Sequence, residues 1–196
     1  MSDKKDIYNQ FGKRTENKVQ IDYTADSDSA RDLINALRML LTGSAAARRL
    51  MTMADTNGVQ IRVLKGREDA VYVPQHKWLF MSITPKTAPT PRLALMYAGG
   101  LRETEQNILG VARPDARHVD GETWVTQNVV KNADILWTTA QIVDEITKSN
   151  QMDNVFLDSF IAMGHDDVYQ AYINNMPDED FIRLYAKKEQ LETKEG

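Results

Sequence analysis

Two adjacent glycines, Gly99 and Gly100, interrupt a segment whose residues Leu93, Leu95, Met96, Leu101 and Ile108 otherwise read as one long helix beginning near Arg92. Each interior glycine weakens a helix by ~1 kcal/mol relative to alanine, so local propensity does not select the pair. The tertiary arrangement must therefore ask for a helix surface without side chains, and close approach to a second helix is the expected reason. An anion-cradling loop is the competing explanation, but no G-x-G-x-x-G or G-x-x-x-x-G-K-[ST] pattern surrounds the pair.

The segments on either side set the fold class. A helix is expected from Ser27 or Asp28, whose short polar side chains can cap free N–H groups, with Leu33, Ile34, Leu37, Leu40 and Leu41 on one face before Gly43. Ser44 restarts a second helix with Leu50, Met51 and Ala54 inward, and Asn57-Gly58 ends it. Val59-Gln60-Ile61-Arg62-Val63 then alternates strictly, as a half-buried strand does, and a second extended segment covers 71–83. Pro85, Pro89 and Pro91 keep the next link non-helical. After Pro114 a long helix is expected over 119–148, with Val125, Val129, Leu136, Ala140 and Val143 along one stripe that also carries Asn132. Shorter amphipathic segments follow over 152–163, 166–175 and 178–189, punctuated by Gly164 and Pro177. The order predicts a mostly helical α+β fold with a small sheet or hairpin, a motif helix and a long second helix, not a doubly wound parallel sheet. Residues 1–25 are expected to form a loosely ordered polar arm with Ile7, Tyr8, Phe11, Val19, Ile21 and Tyr23 as its anchors. Residues 26–189 are expected to form one domain, and 190–196 a solvated tail.

Composition removes several function classes. Among 196 residues, 42% are hydrophobic, the net charge is −4 and basic residues are scattered, so no patch suited to nucleic acid phosphates is expected. The chain has no cysteine, which removes thiolate metal sites and a cysteine nucleophile. No apolar run reaches the length of a signal peptide or a membrane span, and the expected location is cytoplasmic, without membrane attachment.

Two stretches carry a family likeness: Ala98-Gly99-Gly100-Leu101-Arg102-Glu103-Thr104-Glu105-Gln106, and Asn132-Ala133-Asp134-Ile135. Over residues 30–175 the chain resembles a bacterial family of small zincin-like metallopeptidases of uncharacterised function. That family's motif helix reads approximately A-H-E-L-R-H-A-x-Q, and a later helix carries E-A-D-A. The chain keeps Ala98, Leu101, Arg102 and Gln106 of the first pattern, and Ala133 and Asp134 of the second. Gly58-Val59-Gln60-Ile61, Tyr72 and the strand through Leu79, Met81 and Ile83 are similar to the sheet that leads into the family's motif helix.

In an H-E-x-x-H helix, two imidazoles four residues apart reach one Zn²⁺ and the glutamate between them takes a proton from metal-bound water. The resemblance places the two histidine positions at Gly99 and Glu103, the base at Gly100 and the third ligand at Asn132. Glycine offers no ligand or base, and asparagine is neutral where a carboxylate would offset the metal's charge. No catalytic, metal-binding or cofactor-binding residue is therefore carried over from the family, and no cofactor is expected.

Other groupings read as structural. His76, His118 and His165 lack metal-ligand spacing and read as surface or capping residues. Glu103, Glu105, Glu122 and Asp134 could gather around a hard cation, but without ligand-loop spacing they read as a solvated acidic face. Trp124, Trp137, Tyr169 and Tyr172 have the spacing of amphipathic packing, and no serine lies in a G-x-S-x-G context. Asn132 is expected to hydrogen-bond Arg102 or Gln106. The favoured function is a metallopeptidase-like domain without catalytic zinc that binds a protein or peptide. The alternatives are an active hydrolase with a rearranged site, and a helical interaction protein unrelated to zincins.

Overall fold

A computed structural model describes residues 28–84, 89–111, 119–149 and 154–195, with side chains as far as Lys188. The expected arm over 1–25 and His118 lie outside the described residues. The fold is mostly helical α+β, with a small three-stranded sheet.

Helix α1 (Asp28–Leu40) buries Ala30 and Leu37, with Leu41 just beyond its end, while Leu33, Ile34 and Leu40 pack at the core's edge. Helix α2 (Ala45–Thr56) starts at Ser44, whose side chain accepts from the Ala47 amide, and buries Leu50, Met51 and Ala54. Ser44 is itself fully buried and donates to Glu145 Oε2 at 2.6 Å, and the same oxygen accepts from the Ala46 amide at 3.0 Å. A distant carboxylate thus completes the cap and opposes the positive end of the helix dipole, a contribution of about 1 kcal/mol.

Strand β1 (Gln60–Lys65) follows the left-handed Gly58, at φ +68°. The single extended segment expected over 71–83 is in fact two strands, β2 (Asp69–Val73) and β3 (Trp78–Ile83). Between them Pro74–His76 form a 3₁₀ turn, and Lys77 takes φ 54°, which reverses the chain. Strand β3 then inserts between the other two, antiparallel to β2 and parallel to β1. Strict alternation on β3 turns Leu79, Met81 and Ile83 inward, where they join Val63 and Tyr72.

Helix α3 (Pro91–Ile108) covers the long helical segment expected from near Arg92, and is capped by Thr90, whose Oγ1 accepts from the Leu93 amide. It packs against α1, α2, the sheet and the long helix α4 (Gly121–Ser149), so it is central to the core. Along α4 the predicted stripe holds at Ala140 and Val143, which are buried, but Val125 is 52% exposed because the first turns of α4 run beyond the core. Helices α5 (Val155–Ala162), α6 (Asp166–Ile173) and α7 (Asp178–Glu195) complete the fold. Trp137 of α4 packs on Tyr172 and Phe181, with ring centroids 5.3 and 4.8 Å away. The Lys-Glu-rich end, expected as a tail, is helical to Glu195, as its strong helix formers allow. No helix among the described residues is long and apolar enough to cross a membrane.

Candidate functional site at the facing helices

The two glycines face different neighbours. A Cβ on Gly99 would lie 3.4 Å from Ile135 Cγ2 and 4.0 Å from Thr139 Oγ1, in ordinary contact with α4. A Cβ on Gly100 would lie 2.8 Å from Leu79 Cδ1 and 3.0 Å from Ala70 Cβ, inside the sheet's own side chains. The expectation that both glycines serve close approach to the long helix therefore holds for Gly99 alone. Successive helix positions differ by about 100°, so Gly100 is rotated onto the sheet and its missing side chain is what lets α3 sit on β2 and β3.

Glu103 lies one turn beyond Gly99 and is buried, 6% exposed. Its Oε2 accepts from the Tyr72 amide at 3.3 Å. Among the described residues strand β2 is an edge of the sheet, and this carboxylate satisfies its Tyr72 amide. Glu105 is equally buried, but it pairs with Arg49 of α2 and with Arg102. The solvated acidic face expected of these residues is corrected for both: burial is tolerated because each carboxylate has hydrogen-bond donors. Burial pushes the Glu105 carboxyl upward, yet the hydrogen bonds and charges of Arg49 and Arg102 outweigh it and hold the group below its ordinary range. Glu122 alone of the set is plainly exposed.

Arg102 continues the network to α4. Its Nε donates to Asp134 Oδ2 at 2.8 Å and its Nη2 to Asp134 Oδ1 at 2.7 Å, a bidentate pair. Gln106 Nε2 donates to the same carboxylate and to the Lys131 carbonyl, the latter at 3.1 Å. Asp134 is thus the partner that was expected of Asn132. Two residues along a helix are about 200° apart, so both cannot face Arg102, and Asn132 is half-buried outside this network. Arg49 carried no signal in the sequence, because it meets Glu105 only through the packing of α2 on α3. Glu105 could have been found from its i, i+3 spacing to Arg102.

The histidines are apart. His76 is exposed on the 3₁₀ turn, stacked on Trp78 with centroids 4.5 Å apart. His165 occupies an N-cap position without making a side-chain cap, and packs on Phe160 instead. Among the described residues, no three His, Cys, Asp or Glu side chains are grouped so as to hold a metal ion. What α3 and α4 present together is a charge-paired seam bounded by a glycine surface. The chain matches no family model, no curated protein and no solved structure in the comparisons made.

Proposed function

We propose that the chain is a zincin-like scaffold without metal chemistry, which binds a protein or peptide. One observation supports this most directly. The polar letters shared with the metallopeptidase pattern, Arg102, Gln106 and Asp134, are joined in one hydrogen-bonded set between α3 and α4. The positions that the pattern gives to ligand and base hold instead two glycines, an asparagine and a glutamate bonded to a strand amide. The residues that position the helices are kept, and those that would use a metal are not.

Purified protein should therefore carry well under one equivalent of Zn²⁺ by elemental analysis and cleave no peptide in a mixed library. One tightly held equivalent that is lost in Glu103→Ala, together with metal-dependent cleavage, would overturn the proposal in favour of an active hydrolase with a rearranged site.

A second reading, a helical interaction protein unrelated to zincins, is favoured by the start of α4. There Trp124, Val125 and Val130 are all exposed, and residues 121–130 contain one charged side chain, Glu122. A sparsely charged, partly apolar helix surface of this kind suits association.

A further inference from the structure

The turn between α5 and α6 places a histidine where its charge would matter. Gly164 takes φ +86° after α5, and His165 follows at the start of α6. The imidazole packs on Phe160 with centroids 5.0 Å apart. Its Nδ1 is buried, with no hydrogen-bond partner among the described residues. From α7, Lys188 Nζ donates to the Gly164 carbonyl and, at 2.9 Å, to Asp167 Oδ1. One ammonium therefore ties the later part of α7 to residues on both sides of His165.

The charged groups near enough to act electrostatically on the ring are Lys188 from α7, Asp167 from α6 and Arg92 from α3. Two of these are cations, and the carboxylate is already engaged by Lys188. We propose that His165 is a pH-operated latch on the C-terminal helix. With the ring neutral, Lys188 bridges Gly164 and Asp167. A proton taken from solvent makes the imidazolium compete with Lys188 for Asp167 and repel the ammonium, so the bridge opens.

The sign follows from the surroundings. Burial first, then Lys188 and Arg92, hold the imidazole below its ordinary value against the pull of Asp167. The opened form then takes the proton first, so the closed form is fully favoured above about pH 6.5 and loses ground as pH falls below it. Phe181 and Tyr185 are buried and anchor the first turns of α7. Opening is accordingly confined to the helix beyond Tyr185.

Hydrogen exchange on the full chain tests this, with rates corrected for the intrinsic pH dependence of exchange. Between pH 7.5 and pH 5.0, amide protection over residues 186–191 should fall roughly tenfold in the wild type. In His165→Phe, which keeps an aromatic ring against Phe160, it should stay level. An equal fall in His165→Phe, or none in the wild type, overturns the latch. NMR titration of the imidazole gives a second measurement that does not depend on that variant folding. In Lys188→Met the ring should titrate at higher pH than in the wild type, and an unchanged midpoint also overturns the proposal.

Discussion

Gly99→Ala should raise the stability of this protein and Gly100→Ala should lower it, although the two residues are adjacent in one helix. Both substitutions gain ~1 kcal/mol of helix propensity. At position 99 the new methyl meets Ile135 at 3.4 Å, an ordinary contact, so most of that gain survives. At position 100 it would lie 3.0 Å from the Ala70 Cβ, which is fixed to the backbone of β2, and 2.8 Å from Leu79 Cδ1. The leucine can rotate, but the alanine cannot, so α3 must lift from the sheet. Overpacking of this kind costs about 1–3 kcal/mol and exceeds the propensity gain. Urea denaturation should show the midpoint rising for Gly99→Ala and falling for Gly100→Ala. Equal shifts would mean that α3 does not lie on the sheet as described. Introducing an H-E-x-x-H pattern here meets the same obstacle: Gly100→Glu drives a longer, charged side chain into Ala70 and Leu79, so a variant that combines it with Gly99→His, Glu103→His and Asn132→Glu also requires Ala70→Gly.

Arg102→Met should destabilise the fold by about 2–4 kcal/mol, the largest loss expected from a single polar side chain here. It leaves the buried Glu105 with Arg49 alone and strips Asp134 of a bidentate partner. The Asp134 side chain is 38% exposed, so water and salt recover part of its share, and the greater part of the loss arises at Glu105. Glu105→Gln should remove much of the penalty of Arg102→Met when the two are combined, because the uncompensated charge is then gone. The pair also sets a pH dependence. With the Glu105 carboxyl held below its ordinary value of 4.5, its contribution is present above that pH and is lost as pH falls through the lower folded value. Within that window stability should fall by up to ~1.4 kcal/mol per pH unit from this group. Glu105→Gln should flatten that part of the curve, which denaturation midpoints measured from pH 5 to pH 2 would reveal. A wild-type slope retained in Glu105→Gln would place the acid sensitivity elsewhere.

Much of the fold was legible in local pattern. The Ser44 cap, the Asn57-Gly58 stop, the alternation at Val59–Val63, the start of α3 at Pro91 and the span of α4 each depend on residues within a turn or two of one another. The pattern misled where a short-range signal had two continuations. Strong β-formers on both sides of Pro74 read as one segment, while the left-handed Lys77 turns them into two strands of opposite direction. Val125 matched the stripe of α4, but a stripe tells which side is apolar and not how far the neighbouring core extends.

The same division runs through the candidate site. The sequence by itself determined most of the elements and the mostly helical α+β class, and it places glycine at 99 and 100 and asparagine at 132, since these follow from residue type and spacing. Only the tertiary structure decided that Gly100 serves the sheet, that Asp134 and not Asn132 meets Arg102, and that Glu103 and Glu105 are buried. Those outcomes depend on the rotation of each helix about its own axis, where one residue is worth about 100°. That angle is set by the packing of α3 between β2 and α4, through contacts such as Tyr72 with Glu103 and Gln106 with Lys131, 31 and 25 positions apart in the chain, and no local signal encodes it.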